Sequence, residues 1–535
     1  MERMIRVLLA GIVAAALVVS SGLTATGAYF ADQESSVDNI LRAWVSNLWV
    51  QTTQEDFEAG VPTDVDTSSS PGDVKLATTS NWYDTNWLYR REITINHILV
   101  SDVDSPSVTY TDFPVLVCVT GLSTDHMEPN GAAIRFTSSD GTTEIPREIE
   151  SCSGGTLWAW VKTTLTQDYS DSTDDVIYMY YGYPEASEPP EGSTYGAQNV
   201  WASNYVMVQH MQGASQTALD DSTNSNNDVT TEGGDPTYQQ SGQIDYAVDF
   251  DGSADYVAVD DDTSLDLVNA LTISGWFYFD TDIGSIRLVS KEKPGSWSYR
   301  LLTLDNGVFG FNDGLLMQLS SNGSSNTLAV QINNALTSFK DEWVFFATTY
   351  NGSTLRLYVN AMDIGSNNGS ISIYNSDTRL GIGASGEGGW PLNGLIDEVR
   401  VSDTARSAEW IQTCYNNQNE PSSFNSVGSE EGQYVSSGTI ASQVLDTGSA
   451  GTTWSELSWT ETLETSTDIA FKVRVSDIVF LEDDDDATLE WSSVAGPSPV
   501  TSGLPSGRYM QWQATLATSD TSITPTLHEV RISYY

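Results

Sequence analysis

From Trp82 onward the chain repeats one pattern, in which short stretches of alternating apolar and polar side chains are separated by breaks rich in Gly, Asp, Asn, Ser and Thr. The alternation has the period of a half-buried strand, and its regular spacing predicts β-sandwiches. A first set of strands is expected at Arg91–Asn96, Pro114–Val119, Ala133–Phe136, Leu157–Val161 and Val176–Tyr181. A second covers Ala247–Val259, Leu271–Phe279, Glu342–Gly365 and Gly394–Arg406, and a third runs from Thr439 to Tyr535. In Leu271–Phe279, Leu271, Ile273, Phe277 and Phe279 share one face and Trp276 and Tyr278 the other. Helical spacing outside the N-terminus is confined to Ser407–Asn417, where Trp410, Ile411 and Cys414 would pack on the preceding sandwich. The expectation is an all-β protein of tandem β-sandwich domains. Its segments are an N-terminal signal (1–28), a junction and linker (29–81), a first sandwich (82–204), a second (205–426) and a C-terminal sandwich (427–535). The linker reading for Gln51–Asn81 rests on its Thr, Ser, Asp, Gly and Pro content and its lack of apolar periodicity.

One predicted strand departs from the pattern. In GLIDEVRVSDTAR (Gly394–Arg406), strict alternation places Asp397 on one face with Leu395, Val399 and Val401, and Glu398 on the opposite face. A carboxylate on an apolar face needs hydrogen bonds, an arginine or a cation. Backbone amides, Arg400 or Arg406 would serve as well as a metal.

Charge narrows the function. With 72 acidic against 22 basic residues the formal charge is −50, which repels nucleic acid and anionic lipid. The N-terminus carries Arg3 and Arg6, an apolar run from Val7 to Val19 and then small residues to Ala28, the order of a secretory signal. A retained anchor is the alternative. The protein is thus expected to be secreted or at the cell surface, with no membrane insertion after signal removal. Cys118, Cys152 and Cys414 are too few for a framework; Cys118 and Cys152 could pair or remain thiols.

Three resemblances add to this reading. The blocks AVDFDGSADYVAV, LTISGWFYF, EWVFFATTYNGSTLRLYVNAMDIG and GLIDEVRVSDTARS resemble laminin-G-like, concanavalin-type jelly rolls over about 210 residues. WLYRREITI, FPVLV, IRFTSSDGTTEIPREIE, LWAWVK and IYMYYG resemble a bacterial surface β-domain family of unknown function. The junction TATGAYFADQESSVDNILRAW resembles SipW-dependent exported proteins such as TasA and camelysin. The first resemblance implies glycan binding or adhesion, and a calcium site at Asp397 with Asp220 and Asp221 as the nearest loop acids.

No catalytic constellation emerges. The four histidines lie far apart with no H-E-x-x-H or G-x-S-x-G pattern, and they read as structural. The acid run Glu482–Asp486 reads as a solvated loop. Sugar recognition uses exposed aromatic faces, so Trp297 and Tyr299 in KEKPGSWSYR and Trp390 in GEGGWP are the ligand candidates. The expected function is non-catalytic binding of a glycan or extracellular matrix component. A structural subunit of a matrix, filament or surface layer is the alternative, and an accessory module of a polysaccharide hydrolase a further one.

Overall fold

The computed structural model describes residues 27–30, 43–101, 107–168, 173–202, 204–280, 284–304, 314–336, 339–482 and 489–535. The expected signal run up to residue 26 and Asp483–Asp486 of the acid run lie outside them. The described chain is all-β, built of antiparallel sheets that pack as tandem sandwiches. It divides into two compact units, Asn81–Glu430 and a second made of residues up to Ser80 together with Glu431–Tyr535.

The second unit corrects the linker expectation. Ala43–Gln51 pairs with Thr526–Tyr534, and Val61–Thr63 pairs with Ser437–Ala441. Phe57, Val74 and Leu76 are buried in one core with Trp454, Phe471, Trp512 and Leu527. The buried amide of Gln51 accepts a hydrogen bond from Trp512 Nε1 at 2.7 Å. Phe57 sits on the short helix Gln54–Glu58, whose first turn is closed by a Thr53–Asp56 capping box. Elements of two to five residues bury at most one side chain each, so they generate no periodicity that a sequence window detects.

Asn81–Glu430 holds two sandwiches. In the first, the sheet Arg147–Ser153, Thr156–Asp168 and Ser107–Val119 faces a sheet containing Tyr89–Ile95, Asp175–Tyr181 and Arg135–Thr137. Phe113, Val115, Val117, Phe136, Leu157 and Ile177 fill the space between them. In the second, a sheet with order Thr237–Ser241, Tyr246–Asp251, Asn393–Ser402, Leu271–Phe279, Trp343–Tyr350, Thr354–Val359, Met362–Asn368 packs on one containing Tyr256–Val259, Leu380–Ile382, Arg287–Lys293 and Ser296–Leu304. The expected inner face of Leu271–Phe279 forms part of this core. Its outer face is also covered: Trp276 stacks on Tyr415 and donates from Nε1 to Gln418 at 2.8 Å.

That cover is the helix Ala408–Asn419, capped by Ser407. It differs from the sequence expectation in its packing. Ala408, Ile411, Tyr415 and Gln418 meet the jelly roll, whereas Trp410 and Cys414 enter the core of the first sandwich. Beyond it, Asn425–Val427 pairs with Tyr89–Ile95, so the tail of the jelly roll completes a sheet of the sandwich before it.

Candidate functional site

The strand Asn393–Ser402 does not alternate strictly. Along Leu271–Phe279, Ser274 opposes Arg400 but Trp276 opposes Asp397, so Gly275 faces the two residues Glu398 and Val399. This is a β-bulge, and Glu398 takes the left-handed conformation at its first position with φ 55°. The extra residue reverses the parity. Ile396, Val399 and Val401 point into the core, while Asp397, Glu398 and Arg400 leave on the other side. Two sequence expectations are therefore corrected: Asp397 is not among the core valines, and Asp397 and Glu398 do not diverge.

The face they share is buried. Opposite it the first sandwich presents Glu148 and Glu150, two apart on Arg147–Ser153, beside Trp160 of the neighbouring strand. His210, which follows Tyr205–Gln209, enters between them. Its Nδ1 lies 2.5 Å from Glu398 Oε1 and 4.0 Å from Glu150 Oε2, and its Nε2 lies 3.3 Å from Glu148 Oε2. Arg400 donates to Glu398 Oε2 from Nε at 3.0 Å, and its guanidinium lies 4.2 Å from the Trp160 ring centroid and 4.7 Å from that of Trp201. Trp160 Nε1 donates to Glu150 Oε2 at 2.6 Å, and Ser222 Oγ to Glu148 Oε1 at 2.6 Å. A pocket of about 160 Å³ opens beside Glu148, Glu150 and His210.

Burial works against every charge here, and the neighbours decide which survive. Burial alone would raise Glu398, but His210 and Arg400 hold its carboxyl below the usual range. Glu148 is likewise held low by His210 against its burial. Burial, reinforced by Glu398, pushes Glu150 and Asp397 well above the carboxylate range. For His210, burial favours the neutral ring, but Glu398, Glu148 and Glu150 outweigh it and raise the imidazole well above its ordinary value. In this arrangement His210 and Arg400 favour the charged form of Glu148 and Glu398, while burial disfavours it on Glu150 and Asp397.

The residues expected to bind calcium are not assembled. Asp221 is buried, and its carboxylate accepts from the amides of Val208, Thr223 and Asn227 and from the Thr223 hydroxyl at 2.7–3.0 Å. Asp397 Oδ2 accepts from Ile244 N at 2.8 Å; a Cβ at Gly242 would lie 2.7 Å from that oxygen and 2.7 Å from the Tyr246 carbonyl oxygen, which leaves room only for glycine there. Asp220 is exposed. Calcium requires six to eight oxygens, whereas the oxygens of Asp221 are filled by the protein's own donors. The three residues do not fit that ion. Among the described residues, the group whose ligand atoms lie within 4.8 Å of one another is instead Glu150, His210 and Glu398.

Of the aromatic candidates, two are corrected. The loop is only a tight turn at Pro294 and Gly295, so Trp297 and Tyr299 lie on the strand Ser296–Leu304. Tyr299 points into the core with its hydroxyl on Leu265 O at 3.2 Å, and Trp297 is buried beneath Arg300, 4.0 Å from its ring centroid. Trp390 is different. It is 49% exposed, with φ 57°, its carbonyl accepting from Arg287 N at 2.9 Å and its ring beneath the Arg287 guanidinium at 4.2 Å. Arg287 is in turn bonded to Glu292, which takes Arg300 Nη1 at 2.7 Å.

His210, Glu148, Glu150 and Glu398 were not legible as a group. The one available signal is the pairing of E-x-E at Glu148 and Glu150 with W-x-W at Trp158 and Trp160, an acid strand edge against an aromatic one.

The fold and its packed outer faces define the class: tandem β-sandwiches, of which the second is a concanavalin-type jelly roll. Residues 251–412 match the family model of the concanavalin A-like lectin/glucanases superfamily, in its laminin-G form. No curated protein matches the sequence. Solved structures with similar folds include domain 4 of AbnA, an extracellular arabinanase from Geobacillus stearothermophilus in complex with arabinotriose. It is 18% identical, covers 39% of this chain and 96% of its own, and has a TM-score of 0.29. The botulinum neurotoxin serotype D binding domain is 16% identical over 40% of this chain and 51% of its own, with a TM-score of 0.32. The botulinum neurotoxin DC binding domain, in complex with SialylT, is 12% identical over 48% and 57%, with a TM-score of 0.31. At these scores the matches support no conclusion about this chain, and the ligands belong to those proteins.

Proposed function

We propose that this is an exported, non-catalytic protein of the cell surface or extracellular matrix that binds glycans through its jelly roll, with the Trp390 ring as the contact surface. The observation that carries the proposal is the conformation of Trp390. A bulky residue in the left-handed region costs about 1–2 kcal/mol, and such strain persists where the surrounding structure imposes it. Here it leaves a large apolar ring half exposed to solvent, held in place by the Arg287 guanidinium packed against it. The concanavalin-like family match supports the same reading.

The test is a glycan array with the full chain, followed by titration of the best ligand against Trp390→Ala. Loss of a central Trp contact is worth roughly 2 kcal/mol, so affinity should fall about 30-fold. Unchanged affinity, or release of sugar from the ligand, would count against the proposal. The outermost strand Met362–Asn368, exposed along most of its length, favours a second reading as an assembling subunit, because an open edge can pair with another chain. Ordered polymers of the purified chain would support that alternative.

A further inference from the structure

The carboxylates around His210 have the form of a metal centre that Trp390 plays no part in. Three donors, Glu150 from the first sandwich and His210 and Glu398 from the second, lie within 4.8 Å of one another. Tetrahedral ligands about 2.1 Å from a zinc ion stand about 3.4 Å apart. The separations from His210 Nδ1, 2.5 Å to Glu398 and 4.0 Å to Glu150, fall on either side of that value. Shifts below about 1 Å would bring all three donors onto one ion.

The surroundings are those a metal ligand set requires. A ligating imidazole gives its other nitrogen to a carboxylate, which fixes the ring. Glu148 occupies that position on Nε2, itself held by Ser222 and Trp201. Glu150 and Glu398 each have one oxygen tied, to Trp160 and Arg400 respectively. The remaining oxygen of Glu150, Oε1, has no hydrogen-bond partner although its side chain is only 2% exposed. Gln209 Oε1 and Gln212 Nε2, on the wall of the same pocket, are likewise buried and unpartnered. Buried polar atoms are nearly always satisfied, so several orphans around one cavity indicate a polar occupant.

We propose that Glu150, His210 and Glu398 bind a divalent transition cation of the zinc class, with His210 Nδ1 as the nitrogen ligand, Glu148 orienting the ring, and a fourth position open to the pocket. An imidazole donor and a small ligand set select zinc-type ions over calcium. The ion would tie the two sandwiches to each other and take water or a ligand oxygen at its open position.

The full chain, stripped with EDTA and dialysed, is titrated with Zn²⁺ by calorimetry, and its metal content is measured after gel filtration. Co²⁺ serves as a spectroscopic probe. The expected result is one equivalent of zinc, a rise in melting temperature on adding it to the stripped chain, and the visible absorption of tetrahedral cobalt. Glu150→Gln, nearly isosteric, should weaken binding at least about 100-fold, while Glu148→Gln should weaken it about 10–100-fold. His97, His126 and His528 each pair with a single distant acid, so binding there would be unaffected by Glu150→Gln. Failure of the stripped wild type to take up zinc would overturn the proposal. So would wild-type affinity in a folded Glu150→Gln variant.

Discussion

Trp390 allows the backbone and the ring to be tested separately, by comparing Trp390→Ala with Trp390→Gly. The ring is 49% exposed, so truncation uncovers about 100 Å² of apolar surface, or ~2.5 kcal/mol at about 25 cal/mol per Å². Loss of the Arg287 contact adds about 0.5–1 kcal/mol for an exposed cation–π pair. Both variants lose these terms equally. They differ in the backbone: at φ 57° alanine keeps a strain of about 1–2 kcal/mol, whereas glycine has none. Glycine loses about 0.5–1 kcal/mol through the greater freedom of its unfolded chain. The glycine variant should therefore be the more stable of the two by ~0.5–1 kcal/mol, against the usual order. For a domain of this size that is a melting difference of about 2 °C, measurable in the jelly-roll transition by scanning calorimetry. An alanine variant that melts with or above the glycine variant would refute the left-handed conformation. A glycine variant that still binds glycan would refute the role of the ring while leaving the backbone argument intact.

Asp221→Ala removes the acceptor from three backbone amides and a hydroxyl in a buried loop, and unsatisfied buried donors cost about 1–3 kcal/mol each, without full additivity. A loss of about 4 kcal/mol is expected, with faster hydrogen exchange at Val208 and Asn227; a loss below about 1 kcal/mol would show that the loop is held by something else. In the other unit, burial raises Asp66, but hydrogen bonds from Ser69 and Ser68 prevail and bring its carboxyl from 3.8 to about 2. Because the folded value lies below the unfolded one, this stabilisation is present above pH 3.8 and disappears as the pH falls towards 2. Asp66→Ala should cost about 1 kcal/mol near pH 6, allowing for solvent screening of an exposed group, and almost nothing near pH 2. A gap that persists in acid-series melts down to the lowest pH would contradict this origin.

What the sequence revealed and what it hid follow from the same physics. Alternation identified Leu271, Ile273, Phe277 and Phe279 as one face because an unbroken strand has period two, and they form the core. The same rule failed on the adjacent strand, at Glu398, because a single inserted residue reverses the parity of everything before it. A left-handed glutamate has no sequence signature, since glycine or asparagine is the residue that ordinarily marks such a position. The short strands between Val61 and Leu76 were hidden for another reason, since each buries too few side chains to show any period.

The cluster around His210 was hidden by a limit that lies between domains. A sandwich's own pattern reports which residues face its own core; residues on its outer faces read as solvated whether or not something covers them. Glu148 and Glu150 on one sandwich, and Asp397, Glu398 and Arg400 on the other, are ordinary outer-face polar residues when each domain is considered alone. They become a buried electrostatic problem only because the two outer faces meet. The aromatic residues on those faces are the better cue. Trp160, Trp201 and Trp276 are each almost fully buried although each projects away from its sandwich's main core, into small separate clusters. Leaving such rings in water would forgo roughly 2–3 kcal/mol apiece, so a tryptophan on the polar phase of a strand argues that the face is covered. Charged residues that share the phase with it then have to be paired, protonated or bound to an ion, and that requirement makes Glu150 the residue on which the zinc proposal turns.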